Sequence, residues 1–398
     1  MTQEHDYLTS HPWLTFDYRL DFELKAQLWA RLGEAFSKCQ HLTGTPLTPG
    51  VAQELGAVYL AKGALATTAI EGNTLSETDV TDILYGGRML PPSQRYLQQE
   101  VENVVAALRA IDRNSRHGGT AITVDWIREQ NRQVLAELET DDHVVPGDFT
   151  VSNVVVGNYR GAPPRDVPYL MDRLVAWIAQ LTEGHNDQPP NVRFFGAFLA
   201  ATLSHLYLAW IHPFGDGNGR TARLLECAIL TNSGLVPWLS ANLLSDHYNR
   251  TRSEYYRRLS NASRHGDVTG FICYAAQGFV DLLREQIELV QRQQLRVSWV
   301  NFVYQRFQSL PNTEATARQR TLLLSLPDGP TPLSAVRRLT PELAEQFAGR
   351  SDKTVTRDVN RLQSLGLAVV DRHTIEPAVY LMAAFIPGRA NSSPRDQS

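Results

Sequence analysis

Apolar residues recur three and four positions apart along most of this 398-residue chain. That period is typical of helices with one buried face, and it predicts a mainly α fold. The predicted helices cover Asp21–Ser37, Val51–Ile70, Gln94–Asn114, Asp125–Leu138, Pro168–Leu181, Asn191–Ile211, Arg220–Asn232 and Asp267–Leu310. The segment Asn191–Ile211 is apolar on all sides and contains His205, which favours a central buried helix over a membrane span.

Two regions depart from this pattern. Three valines at 154–156, followed by Gly157-Asn158 and Tyr159, predict a short β-hairpin. Beyond Pro311 we expect three short helices and then two strands, an order that indicates a winged-helix module. Its predicted elements are helices Thr316–Leu326, Pro341–Ala348 and Ser351–Leu365 and strands Leu367–Val370 and Val379–Ala383. The predicted domains are a helical N-terminal domain (1–110), a core (111–310), a winged-helix-like domain (315–386) and a disordered polar tail (387–398).

Composition narrows the class of protein. Hydrophobic residues make up 43% of the chain and charged residues 20%, as in globular proteins and unlike disordered ones. A net charge of −4 gives no overall attraction to nucleic acid or anionic membrane. Cys39, Cys227 and Cys273 lie far apart, which argues against a zinc site and a disulfide framework. The polar N-terminus lacks the apolar segment of a signal peptide, so we expect a cytoplasmic protein with no membrane partner.

One loop between two predicted helices concentrates the residues that carry chemistry. It runs from His212 to Arg220 (HPFGDGNGR), with Arg223 one turn further on. Its glycines and the following helix N-terminus can present N–H groups to an anion, and both arginines need an anionic partner at that end of a helix. Asp216 is a carboxylate of the kind that Mg²⁺ binds beside phosphates, and His212 accepts a proton near neutral pH. This inventory predicts phosphoryl or nucleotidyl transfer.

The loop resembles the signature of the Fic family, HxFx(D/E)GNGRxxR, at every specified position. The resemblance implies a Mg²⁺-dependent protein adenylyltransferase, which moves AMP from ATP onto a Tyr, Ser or Thr hydroxyl of a target protein and of itself. His212 would be the catalytic base and Asp216 the metal ligand. The implied nucleotide site comprises Phe214, as an anchor of the loop, together with Gly215, Asp216, Gly217, Asn218, Gly219, Arg220 and Arg223. The Doc-like branch, which transfers phosphate, has lysine where this chain has Gly219, so the glycine favours AMP transfer.

A second segment, Thr67 to Asn73, resembles the family's inhibitory motif, (S/T)xxxE(G/N). The spacing puts Thr67 and Glu71 on one face of a helix, and Gly72 is a suitable helix end. The resemblance implies that Glu71 pairs with Arg223 in place of the γ-phosphate, so that ATP binds in an unreactive pose. Some relatives use this glutamate to position water and remove AMP, which leaves a de-AMPylating hydrolase open as an alternative.

The resemblance also implies partners for the catalytic region. The hairpin over 153–163 would be a flap to which an extended segment of the target adds a strand. Tyr255 and Tyr256 would line the adenine pocket, with core packing as the open alternative for both. Dimerisation is common in the family, so a homodimer is a further expectation.

The C-terminal module suggests a different partner. Lys353, Arg357 and Arg361 recur every four residues on the predicted recognition helix, a stripe that suits a DNA major groove. Asp352 and Asp358 dilute its charge, so a solvated helix face and a protein-docking face stay open. A nucleotide-sensing, DNA-binding regulator is therefore a second alternative for the whole chain.

Overall fold

The computed structural model describes residues 5–19, 22–157, 159–183 and 187–382. Four expectations fall outside these residues: the helix start at Asp21, the turn residue Asn158, the strand end at Ala383 and the disordered tail at 387–398. The chain divides into two compact units, residues 1–287 and 288–398.

The first unit is helical apart from one hairpin. Its helices are α1 (Tyr7–Ser10), α2 (Phe22–Thr43), α3 (Pro49–Ala69), α4 (Glu77–Tyr85), α5 (Arg95–Ser115), α6 (Val124–Val134), α7 (Val167–Glu183), α8 (Pro190–Ile211), α9 (Asn218–Asn232), α10 (Trp238–Ala241), α11 (Leu243–Arg250), α12 (Arg252–His265) and the first part of α13 (Val268–Gln308). The mainly α fold is confirmed, and each of the eight predicted helices is present. The pattern missed α4, although Ser76 and Asp79 form a capping box at its start, and it missed α10 to α12.

Helix α8 forms the centre of the first unit and packs between α7 and α9. It is long and apolar enough to cross a membrane, but 89% of its most apolar window is buried within the protein. One continuous apolar cluster surrounds it, and residues on both sides of position 110 contribute to that cluster. The core therefore fixes the C-terminal end of α8, where the loop predicted to carry the chemistry begins.

The predicted hairpin is confirmed as strands β1 (Val155–Val156) and β2 (Tyr159–Arg160), which pair antiparallel. Its base is attached to the end of α8, because the Tyr159 hydroxyl donates to the carbonyl of Trp210 at 2.7 Å. The backbone N–H of Ala162 likewise donates to the carbonyl of Ile211 at 3.0 Å. The hairpin thus projects from the same point of the fold as the loop.

The second unit has its own apolar core and a small sheet. Its elements are the later part of α13, α14 (Glu314–Ser325), β3 (Thr331–Pro332), α15 (Pro341–Gln346), α16 (Asp352–Ser364), β4 (Ala368–Val370) and β5 (Thr374–Pro377). The strands form an antiparallel sheet in the order β3–β5–β4. The strand predicted at Val379–Ala383 is wrong, since Val379–Met382 is a 3₁₀-helix and Ala383 lies outside the described residues. The chain reverses direction directly after β4, and Thr374–Pro377 pairs with β4. The later segment that was predicted as the strand is therefore not the partner of β4.

Candidate active site

The loop from His212 to Gly217 reverses the chain between α8 and α9. It begins where His212 adopts a left-handed conformation (φ 52°) at the end of α8, and it ends at Gly217 (φ 76°), which precedes the first turn of α9. A side chain at Gly217 would be strained by that φ and would approach the Asn131 amide. Asn218 closes the loop by accepting the N–H of Phe214 at 3.0 Å and donating to its carbonyl at 2.7 Å.

Apolar contacts hold the loop against the rest of the unit. Phe214 is buried and packs on Phe149, with ring centroids 5.6 Å apart and a backbone bridge between the two residues. A Cβ at Gly215 would come within 2.8 Å of the Val144 side chain. Phe214 is therefore an anchor of the loop, as the resemblance implied, and the Asn218 side chain is engaged in loop closure.

The surroundings of His212 define the tautomer and the charge of its ring. Its Nδ1 lies 3.2 Å from the carbonyl of Ala209, an acceptor, so Nδ1 carries the hydrogen and Nε2 keeps its lone pair. Burial lowers the pKa of His212, and this effect outweighs the hydrogen bond to Ala209 and the nearby carboxylates of Glu71 and Asp216, which raise it. The ring is therefore neutral near pH 7.

Arg223 lies on α9 with its side chain 1% exposed. Its Nη2 donates to the carbonyl of Thr67 at 2.9 Å and to Oε1 of Glu71 at 2.5 Å. Its Nε and Nη1 are buried and have no hydrogen-bond partner among the described residues. Because buried guanidinium N–H groups are costly when left unpaired, this arginine has room for a further anionic partner.

Glu71 lies just beyond a helix rather than on one. Helix α3 ends at Ala69, and Gly72 reverses the backbone with φ 108°. Burial acts to raise the pKa of Glu71, but the charge and hydrogen bond of Arg223 outweigh it, so the pKa lies below its usual value. Glu71 is therefore an ionised carboxylate held against a motif arginine, as the resemblance implied.

Gly219 makes this contact sterically possible. A Cβ at Gly219 would overlap Oε1 of Glu71 and would lie 3.2 Å from Nη1 of Arg223. The Glu71 carboxylate thus occupies the space that any larger residue at position 219 would need. Gly219 stands in the first turn of α9 without a positive φ, so the requirement comes from the neighbouring carboxylate and not from the backbone.

Arg220 is held by a carboxylate that the sequence did not point to. Its Nη1 donates to Oε1 of Glu100 at 3.3 Å, and its Nη2 to Oδ1 of Asp216 at 3.3 Å. Oε2 of Glu100 in turn accepts the side-chain amide of Asn73 at 2.8 Å. The segment that carries Glu71 is therefore bonded, through Asn73 and Glu100, to Arg220, the first motif arginine. Glu100 is 120 residues from Arg220 and has no local motif that could have identified it.

Asn131 is a second residue that the sequence did not single out. Its amide donates to the carbonyl of Asp216 at 2.9 Å, and its side-chain oxygen accepts the N–H of Gly147 at 2.9 Å. One buried side chain of α6 thus ties the loop to the chain that leads to the hairpin. Its role is to position the loop.

The two tyrosines of α12 occupy different environments. Tyr255 is 2% exposed, and its hydroxyl lies 2.8 Å from Nε2 of His205, which is fully buried. Tyr256 is 43% exposed, and its hydroxyl donates to the carbonyl of Ile70 at 3.3 Å. In this arrangement Tyr255 packs in the core, and Tyr256 presents a ring surface beside the Glu71 segment. For Tyr255 the core-packing alternative therefore describes the arrangement in this structure.

A Mg²⁺ ion would have one carboxylate ligand from the loop. Asp216 is about half exposed, and among the described residues no three His, Cys, Asp or Glu side chains are grouped as in an all-protein metal site. Mg²⁺ characteristically takes one or two carboxylates and completes its shell with phosphate oxygens and water. With unpaired N–H groups of Arg220 and Arg223 nearby, the residues present fit a metal ion that arrives with a polyphosphate.

Residues 121–230 match the Fic/DOC family. The chain is 33% identical over 214 residues to protein adenylyltransferase fic-1 of Caenorhabditis elegans, a match that covers 53% of this chain and 38% of the relative. Protein adenylyltransferase Fic of Nematostella vectensis is 31% identical over 212 residues, covering 53% of this chain and 45% of the relative. The chain thus spans less than half the length of these curated relatives.

Solved structures agree with this assignment. A Fic family protein from Desulfovibrio desulfuricans has the same fold with a TM-score of 0.55 at 20% identity, over 90% of this chain and 97% of that one. Fic-1 from C. elegans has a TM-score of 0.53 at 27% identity, over 68% of this chain and 74% of that one. The helical fold of this chain is thus one of known type. Within this chain, the part that matches the Fic/DOC family is residues 121–230.

Proposed function

We propose that this protein transfers AMP from ATP to a hydroxyl group of a protein, and that Glu71 restrains the reaction. The relatives named above are protein adenylyltransferases, which supports the reaction class. The observation that carries the proposal is the arrangement of the loop. The same loop and helix carry a neutral His212 and two arginines, of which Nε of Arg220 and Nε and Nη1 of Arg223 are buried without a partner in the part of the chain that the structure describes.

In the proposed reaction, Nε2 of His212 accepts the proton of the target hydroxyl. The hydroxyl oxygen forms a bond to the α-phosphorus of ATP, and the bond from that phosphorus to the bridging oxygen breaks as pyrophosphate leaves. Arg220 and Arg223 hold the β- and γ-phosphates by charge-assisted hydrogen bonds. Mg²⁺, bound by Asp216 and phosphate oxygens, would neutralise charge on the leaving group.

The hairpin offers a place for the target. Val155 and Val156 of β1 are exposed, so an extended segment can pair with this short strand by main-chain hydrogen bonds. The chain that leaves the hairpin passes beside the base, because a Cβ at Gly161 would lie 2.9 Å from Cβ of His212. A hydroxyl on a docked segment would therefore come close to Nε2.

The restraint follows from competition for Arg223. The Nη2 group that binds Glu71 cannot also hold a γ-phosphate oxygen in the same place. A nucleotide bound beside Glu71 must shift its phosphates, which misaligns the α-phosphorus for in-line attack. Removal of the carboxylate should therefore raise activity, whereas loss of most active-site residues lowers it.

The test uses ATP labelled at the α-phosphate, with Mg²⁺ and a cell lysate. We expect weak labelling of proteins by the wild type, strong labelling by Glu71→Ala, and none by Glu71→Ala combined with His212→Ala. Glu77→Ala is the matched control, because Glu77 is an exposed carboxylate close by that contacts no motif arginine. Labelling by none of these variants, the enzyme itself included, would refute transfer, and release of AMP from a labelled protein would then favour the hydrolase.

A further inference from the structure

The second unit has the element order of a helix-turn-helix with an added hairpin. Helices α15 and α16 are separated by residues 347–351, where Gly349 adopts φ 67°. Strands β4 and β5 follow α16 directly, and β3 completes their sheet. In proteins with this order the second helix of the pair is placed to enter a DNA major groove.

Helix α16 separates sharply into two faces. Its inner face buries Val355, Val359 and Leu362 in the core of the unit. Its outer face exposes Lys353, Thr356, Arg357, Asn360 and Arg361. These are side chains that contact phosphates and base edges, whereas a protein-docking face would need large apolar or aromatic anchors, which the described outer face lacks.

The acidic residues of α16 do not offset this charge. Asp358 is fully buried and accepts hydrogen bonds from Nε of Arg318 at 2.7 Å and from Gln319 at 2.9 Å. Asp352 stands at the start of the helix, 3.1 Å from a guanidinium nitrogen of Arg337. Among the ion pairs of residues 5–382 that the structure describes, none involves Lys353, Arg357 or Arg361.

The charge of the chain is divided unequally between its units. Residues 288–398 contain fourteen Lys and Arg and ten Asp and Glu, a net charge of +4. Since the whole chain carries −4, residues 1–287 carry −8. A basic unit joined to an acidic one is a pattern that indicates a nucleic-acid partner for the basic unit.

We propose that the outer face of α16 binds double-stranded DNA in the major groove, with the turn between β4 and β5 against the adjacent backbone. That turn exposes Arg372, a further cation for a phosphate. The cations of α16 supply affinity through phosphates, and Thr356 and Asn360 between them supply contacts to base edges. This inference does not depend on the proposed reaction, because it concerns a different unit.

The experiment measures binding of the full chain to a fluorescent duplex of about 30 base pairs, by anisotropy over a salt series. The test variant combines Lys353→Ala, Arg357→Ala and Arg361→Ala. The matched control combines Arg292→Ala, Arg296→Ala and Arg306→Ala, which removes the same charge from exposed positions of α13. We expect the test variant to lose at least about tenfold in affinity and its salt slope to fall by about three, while the control changes little.

Three results would overturn the proposal. The first is absence of duplex binding by the wild type at low salt, and the second is an equal loss of affinity in both triple variants. The third is that a polyglutamate peptide competes as well as unlabelled duplex at the same concentration of negative charge, which would identify an acidic protein as the partner. Arg357→Gln alone guards against misfolding of the triple variant, and its salt slope should fall by about one.

Discussion

The close approach of Gly219 and Glu71 yields a prediction that separates steric from catalytic effects. Gly219→Ala places a methyl group where Oε1 of Glu71 now lies. The backbone at 219 accepts alanine, so the carboxylate, as the end of a flexible side chain, must move away. Its hydrogen bond to Arg223, 2.5 Å long, is then lost. A substitution that leaves Glu71 in the sequence should thus release the restraint.

The size of the effect follows from that hydrogen bond. A hydrogen bond between charged groups contributes about 1.5–3 kcal/mol, and Glu71 is about one third exposed, so we take the lower end. A loss of about 1.4 kcal/mol lowers the ratio of restrained to active molecules about tenfold, so the small active population rises by nearly that factor. Labelling with α-phosphate-labelled ATP should therefore rise about tenfold over the wild type.

The combination of Glu71→Ala with Gly219→Ala shows whether alanine at position 219 itself harms activity. If Glu71→Ala and the combination of Glu71→Ala with Gly219→Ala label equally, alanine at 219 is compatible with nucleotide binding and catalysis. If Gly219→Ala alone then stays as weak as the wild type, the steric reasoning is refuted.

Three further predictions concern the pKa of His212, the contact between Glu100 and Arg220, and the stability of the second unit. Since burial lowers the pKa of His212, labelling by Glu71→Ala should persist below pH 6.5 and fall only at more acidic pH, and a loss already near pH 7 would contradict this. Glu100→Gln removes the carboxylate that holds Arg220 and should raise the KM for ATP by about tenfold or more, whereas Glu102→Gln on the same helix should not. Arg318→Ala leaves the charge of Asp358 buried and unpaired, so calorimetry should show the second unit destabilised by about 3–5 kcal/mol; an unchanged transition would contradict the pairing.

The sequence predicted best what depends on neighbours along the chain. Helix α8, the glycine-rich loop and the start of α9 follow from apolar periodicity and from glycines that cannot continue a helix. The partner of Arg220 did not follow, because Glu100 reaches it only through the packing of α5 against α9. Helices α11 and α12 were missed because α11 is only eight residues long and α12 is mostly polar, so each contains few apolar residues from which a helix could be recognised.

In the C-terminal module, too, the features that depend on spacing along the chain were predicted and those that depend on tertiary contacts were not. The basic stripe on α16 was visible from the spacing of Lys353, Arg357 and Arg361, but the position of Asp358 was not. Only the tertiary contact with Arg318 shows that this carboxylate points into the core and does not lie on the outer face. Spacing alone therefore underestimated the charge that this helix presents.

The location of Glu71 after the end of α3 also determines how much free energy a ligand must supply to release this carboxylate from Arg223. To move the carboxylate away from Arg223, only the segment between α3 and α4 has to change, and no helix needs to unwind. A resting ratio of 99 restrained molecules to one active molecule corresponds to a free-energy difference of about 2.7 kcal/mol. A saturating ligand would produce an equal mixture if its binding free energies for the two states differed by that amount. A reversible contact of this size on the segment would be enough. Activity would then rise gradually with the fraction of molecules that have the ligand bound.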